Sequence, residues 1–279
     1  MESHTKPVPD ILKWSTLLVE AVNKPGLIMN AYTNFYNYSI GNQLLSLVQC
    51  QLRGLEPGPI NTFPGWQALG RQVKRGEHAL ILRMPITRKY HKEKTDDGDD
   101  KEGYTYTSFV YKPRWFCLSQ TTGEEFTPPV LPEWDAIRAL AALNIEQIPF
   151  TETNGNCQGY ARAGHVAINP LAQLPTKTLL HELGHLVLGH CAEAEVSDGD
   201  LTPRDLREVE AEAVALLCCE ALNLEGADFC RGYIQHWLSP DVGYNGDGIP
   251  EKSAQKIFRA ADQILRAGRV SDAADEPNR

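Results

Sequence analysis

The run TLLHELGHLV, residues 178–187, constrains this chain more than any other feature. On a helix, His181 and His185 lie four residues apart, so both imidazoles project from one face and can grip one metal ion. Glu182 follows the first histidine and sits beside the position a catalytic metal keeps open. There it can take a proton from metal-bound water and pass it to a leaving amine. The segment predicts a buried helix over Lys177–Leu188, ended by Gly189.

A catalytic zinc needs a third protein ligand. A glycine at Leu188 and a histidine at Cys191 would complete one known pattern, but Gly189 and His190 are each one position off. Continued as helix, His190 would lie about 140° round from His185 and would not converge on the ion. The following segment, REVEAEAVALL, offers Glu208, Glu210 and Glu212. Glu208 and Glu212 share a face and Glu210 points elsewhere. An otherwise apolar helix would not bury two acids without partners. We therefore expect Glu208 as the ligand and Glu212 as an acceptor for a histidine N–H. Cys191 is the other residue within reach of a metal. The donor set suits Zn2+ best, with Mn2+ the alternative.

Net charge is −9 over 279 residues, but it is unevenly spread. Residues 1–130 sum to +2 and residues 131–279 to −11. The turn-rich, three-proline stretch 119–132 separates them, predicting two domains, 1–130 and 131–279. Helices are expected after Ser39, over Pro132–Asn144, from Thr202 to Leu222, and after Pro250. Strands are expected at Ala79–Met84, through TYTSFVYKPRWFCL, and at Ile148–Thr151, Gln158–Ala161 and His165–Ile168. No apolar run approaches the roughly 18 residues of a membrane helix. The polar start lacks a secretory signal, and the seven cysteines show no CxxC spacing. Both point to a cytoplasmic protein with no membrane partner.

Residues 71–92 hold seven Lys and Arg against Glu77 alone. A single-strand binder needs cations for phosphates and flat rings for bases. Candidates are Trp66, Arg71, Lys74, Arg75, Arg83, Arg88, Lys89, Tyr111, Lys112, Arg114 and Trp115. The opposing possibility is that the aromatics form a core and the cations a solvated face. The mixed-charge segment 93–102 reads as a hairpin loop between the strands.

HExxH followed by ExxxE on the next helix resembles the gluzincin peptidases and the IrrE/ImmA-like group. The wider sequence is similar to something narrower. HVAINPLAQLP, TLLHELGHLVLGH, TPRDLREVEAEAVALLCCEAL and RGYIQHWL resemble the ArdC family of plasmid antirestriction proteins. So do YSIGNQLLSL, GWQALGRQVKRGEHALILRMPI and RWFCLSQT in the first half. The resemblance implies an α+β fold with an N-terminal α/β domain that binds single-stranded DNA. It also implies a C-terminal zincin-like metallopeptidase domain, and protection of incoming conjugative plasmid DNA from host restriction. Two other readings are a metalloprotease that cleaves a host regulator or restriction component, and a binder whose metal is only structural. Glu182 argues against the last, since a structural site has no use for a base. The sequence specifies no cleavage motif for a protein substrate.

Overall fold

One helix carries 14 buried residues out of 18 although four of its side chains are glutamates. It spans Arg204–Ala221, and it stays buried because every one of those acids has a partner on a neighbouring element. The computed structural model describes residues 13–90, 104–153, 156–191, 203–239 and 248–270, without the side chains of Lys89, Tyr90 and Tyr104. Thr202, the expected start of a helix, and the segment 93–102 lie outside the described residues.

In chain order the elements begin with helices α1 (Trp14–Asn23), α2 (Leu27–Phe35) and α3 (Ile40–Arg53). Then come β1 (Ile60–Thr62), α4 (Phe63–Ala68), β2 (Arg71–Val73), β3 (Leu80–Tyr90), β4 (Tyr104–Cys117) and β5 (Thr121–Gly123). The second half holds α5 (Ala136–Ala142), β6 (Glu146–Gln147), β7 (Gly159–Arg162), β8 (His165–Ile168), α6 (Pro175–Val187), α7 (Arg204–Ala221), α8 (Ala227–Leu238) and α9 (Glu251–Gly268).

The chain divides into two compact units. One comprises residues 45–128, the other residues 1–44 with 129–279. The second break falls inside the linker expected at 119–132, but α1 and α2 pack with the second half. Two carboxylates explain why. The first turn of a helix leaves backbone N–H groups without partners. Glu251, opening α9, accepts from Trp14 N at 3.1 Å and Ser15 N at 2.9 Å, capping α1. Glu220, near the end of α7, accepts from Gly26 N at 3.4 Å and Ile28 N at 3.3 Å, capping α2, and also pairs with the buried Arg231 of α8. Arg231 in turn donates to the carbonyls of Ala21 and Val22 at the end of α1.

Within this larger unit α7 is the central helix, contacting α2, α6, α8 and α9. Its inner surface is built from small residues, Ala211, Ala213, Ala215 and Cys218, which let neighbours approach. A three-stranded sheet, order β6-β8-β7, lies beside α6, with β6 parallel and β7 antiparallel to β8. The strand expected at Ile148–Thr151 forms two residues earlier, at β6, and Ile148 only closes its ladder through a bond to Val166 O at 2.8 Å. The helix expected over Pro132–Asn144 is confined to α5, because Asp135 caps it through Arg138 N at 2.6 Å.

The smaller unit has a sheet ordered β1-β4-β3 and a two-stranded sheet of β2 and β5. β3 and β4 form a long antiparallel hairpin running from Leu80 against Trp115 to Tyr90 against Tyr104. Its base is anchored by buried Leu80, Leu82, Trp115 and Cys117, and towards its tip the side chains become half-exposed or exposed.

Candidate metal centre and nucleic-acid interface

Pro175 starts α6 at a position where its missing N–H costs nothing, and the histidine motif occupies the last turns. α7 crosses α6 at Gly184. A Cβ built there would lie 3.2 Å from both Cα and O of Ala211 and 3.4 Å from Val214 Cβ. The glycine therefore permits the close approach that brings the glutamates of α7 to the histidines of α6.

His181 Nε2 and His185 Nε2 lie 3.1 Å apart, and Glu208 Oε2 is 3.6 Å from the first and 3.5 Å from the second. These ligand atoms all fall within 4.8 Å of one another. Two imidazole nitrogens and one carboxylate oxygen converging in this way fit a divalent ion of the zinc or manganese kind. Among the described residues no other cluster has this character.

Each histidine is supported from behind. His181 Nδ1 meets Glu212 Oε2 at 2.6 Å, off the line of an ideal hydrogen bond. Glu212 is also held by Lys177 Nζ at 2.7 Å. His185 Nδ1 meets His190 Nδ1 at 3.0 Å, and His190 Nε2 meets Glu210 Oε2 at 2.9 Å. Sequence reasoning missed this second contact. It treated His190 as continuing the helix, whereas α6 stops and Gly189, at φ +78°, turns the chain back. The glycine itself was the available signal.

The charges follow from these contacts. Burial alone would lower the pKa of His181, but its hydrogen bonds to the Glu208 and Glu212 carboxylates more than offset it and raise the group to about 9. Glu208 is held well below the usual carboxylate range by His181 and His185. Glu212 is held down to about 2: burial would raise it, and His181 and Lys177 outweigh that. Burial pushes the Glu182 carboxyl up, against the pull of both motif histidines. Glu182 thus combines burial with a place next to the ligands, as a proton acceptor requires.

The triad opens into a cleft of about 840 Å3. His181, Glu182 and His185 of α6 line one side, Gly159–Ala161 of β7 another, and Arg204, Arg207 and Glu208 at the start of α7 a third. β7 is an edge strand of its sheet. Cys191 lines the cleft, but its Sγ lies 3.6 Å from Ala161 O and it is not among the clustered ligand atoms.

In the smaller unit the expected DNA-binding residues separate into three groups. Trp66 is 1% exposed with its Nε1 bonded to Phe116 O at 2.8 Å, and Trp115 is 8% exposed. Rings so covered offer no face to a base, so the expectation that they stack is corrected: both are core. Arg71 donates to Thr121 Oγ1 at 2.9 Å and to Glu124 O, holding β5 against β2, and Lys74 Nζ donates to Ser119 O at 2.8 Å. Those two side chains support the local fold. The remaining cations are Arg75, Arg83, Arg88, Lys112 and Arg114, all exposed except the half-buried Arg83; Lys89 is placed by backbone alone. Tyr111 is half-buried opposite Arg83. Sequence reasoning passed over Phe109, which is 43% exposed with the Arg83 guanidinium 4.4 Å from its ring centroid. Tyr106 is equally exposed, opposite Arg88.

Comparison with known proteins draws a different boundary, one that joins α1 and α2 to the smaller unit. Residues 13–113 match the family described as the N-terminal domain of anti-restriction factor ArdC. No curated protein sequence matches the chain significantly. The metal-free crystal structure of the antirestriction protein ArdC from plasmid R388 is similar over 91% of this chain and 94% of that one, with 17% identity and a TM-score of 0.50. The Mn(II)-bound structure of the same protein gives 19% identity and a TM-score of 0.48, covering 91% and 97%. The fold defines an α+β protein of the ArdC type. Residues 13–113 thus carry an ArdC N-terminal domain, and the chain shares the fold of the R388 antirestriction protein.

Proposed function

We propose that this protein binds single-stranded DNA and shields incoming conjugative plasmid DNA from restriction in the recipient's cytoplasm, and that it carries a metal centre in a zincin-like domain. The observation that carries this reading is the ArdC N-terminal domain over residues 13–113, which takes in most of the β3–β4 hairpin. Arg83 and Phe109 on one face of the hairpin, and Arg88 and Tyr106 on the other, supply the cation and ring pairs that single-strand binding needs.

At the metal centre, His181, His185 and Glu208 would hold the ion. A bound divalent ion supplies a Lewis acid that makes a coordinated water easier to deprotonate. Glu182 would accept that proton, Glu212 orients His181, and Lys177 keeps Glu212 charged. The protease reading, with a regulator or restriction component as substrate, has no observation of its own beyond these same residues.

Titration of a fluorescent oligonucleotide tests the DNA half. Single strands should bind more tightly than duplex at fixed salt, because base faces are open only in single strands. Phe109→Ala with Tyr106→Ala should cost about 1–3 kcal/mol for each base that loses a stacking ring. Affinity should fall steeply as salt rises. Equal affinity for both forms of DNA, unchanged in the double variant, would contradict the reading.

A further inference from the structure

We propose that His190 and Glu210 form a relay that fixes the orientation and tautomer of His185, so that its Nε2 is presented to the ion. They are positioning residues, not ligands. The inference rests on the metal reading above and adds two residues to it.

The proton count leaves one arrangement. His185 Nε2 faces His181 Nε2 and Glu208 Oε2, so it is the atom that must offer a lone pair. A neutral imidazole has a single N–H, which then sits on Nδ1. That N–H points at His190 Nδ1, 3.0 Å away, which must accept. The single proton of His190 is therefore on Nε2 and is donated to Glu210 Oε2 at 2.9 Å. With the His185 Nε2 lone pair committed to the ion, any other assignment sets two N–H groups or two lone pairs against each other. The carboxylate at the end is 1% exposed, a setting that disfavours an unpaired charge.

The fold is arranged to hold the intermediate ring. Gly189, at φ +78°, lets His190 N bond back to His185 O at 2.9 Å, and Arg207 Nη1 reaches His190 O at 3.4 Å. The two rings meet edge to face, with centroids 5.2 Å apart. His181 reaches its carboxylate directly and His185 through one extra imidazole, and both carboxylates come from α7. Such outer partners of ligand histidines are worth about 10–100-fold in metal affinity.

The test is the dissociation constant of the full chain for Zn2+ and Mn2+, by chelator competition, with the visible spectrum of the Co2+ form. His190→Leu keeps the volume but makes no hydrogen bond, and should weaken binding by about 10–100-fold and shift the Co2+ bands. His190→Gln, whose amide can accept from His185 and donate to Glu210, should restore most of the affinity and the spectrum. Glu210→Gln, which removes only the charge, gives a second folded variant and should also weaken binding. Wild-type affinity and an unchanged spectrum in folded His190→Leu and Glu210→Gln would overturn the relay alone. A wild-type chain that binds none of the three ions would overturn the metal reading and the relay with it.

Discussion

At the residue scale, the site depends on which groups carry protons before an ion arrives. In the metal-free protein His181 is held protonated up to about pH 9 by Glu208 and Glu212, and Glu208 is already ionised. A metal needs the Nε2 lone pair of His181, so binding must expel a proton at neutral pH. Zn2+ affinity, by calorimetry in buffers of different ionisation enthalpy, should rise with pH by close to tenfold per unit and level off above about 9. Proton release near zero at pH 7 would contradict this. The same raised pKa has a consequence for folding without metal. Its stabilisation is complete below pH 6.5, the ordinary histidine value, and is lost as pH rises through about 9. The urea midpoint of the metal-free protein should fall across that window. The convergence of His181, His185 and Glu208, with Glu182 beside them, was legible in the sequence because a four-residue spacing has one meaning on a helix. Glu212 was legible because it shares a face with Glu208. His190 and Glu210 were not, because their contact forms only after the helix ends at a left-handed glycine.

At the element scale, the spacing of α6 and α7 governs the site. Gly184 faces backbone atoms of Ala211, which cannot swing aside as a side chain can. Gly184→Ala should push the helices apart by a few tenths of an ångström. Overpacking of this kind costs about 1–3 kcal/mol, partly offset by up to about 1 kcal/mol of helix propensity. Denaturant unfolding should show the net loss, and metal affinity should weaken with it because Glu208 recedes from the histidines. Unchanged stability and affinity would show that the contact is slack. The hairpin carries a different lesson. Alternating aromatics and cations in β3 and β4 were visible in the sequence, but which ring faces solvent was not. Trp66 and Trp115 look like stacking residues until the sheet places them over the core, while Phe109 looks like core until its strand face proves open.

At the scale of the whole molecule, the sequence pattern suggested a cut near residue 130, while packing sends residues before 45 to the second half. The cause lies in partners some 190–240 residues apart, Glu220 with the start of α2 and Glu251 with the start of α1. Local patterns carry no trace of such pairings. Arg231→Met removes the cation buried beside Glu220 and should cost about 3–5 kcal/mol, read from the denaturant midpoint. A loss under 1 kcal/mol would show that the α2 N–H groups satisfy Glu220 alone. The proposed function is protection of incoming plasmid DNA. It is tested most directly by transfer of an unmodified conjugative plasmid into a restricting recipient that produces this protein, scored against a non-restricting recipient. Wild type and Glu182→Ala should both restore transfer, and the Phe109→Ala, Tyr106→Ala double variant should not. Transfer that stays restricted with wild type, or is lost with Glu182→Ala while DNA affinity is unchanged, would contradict the account.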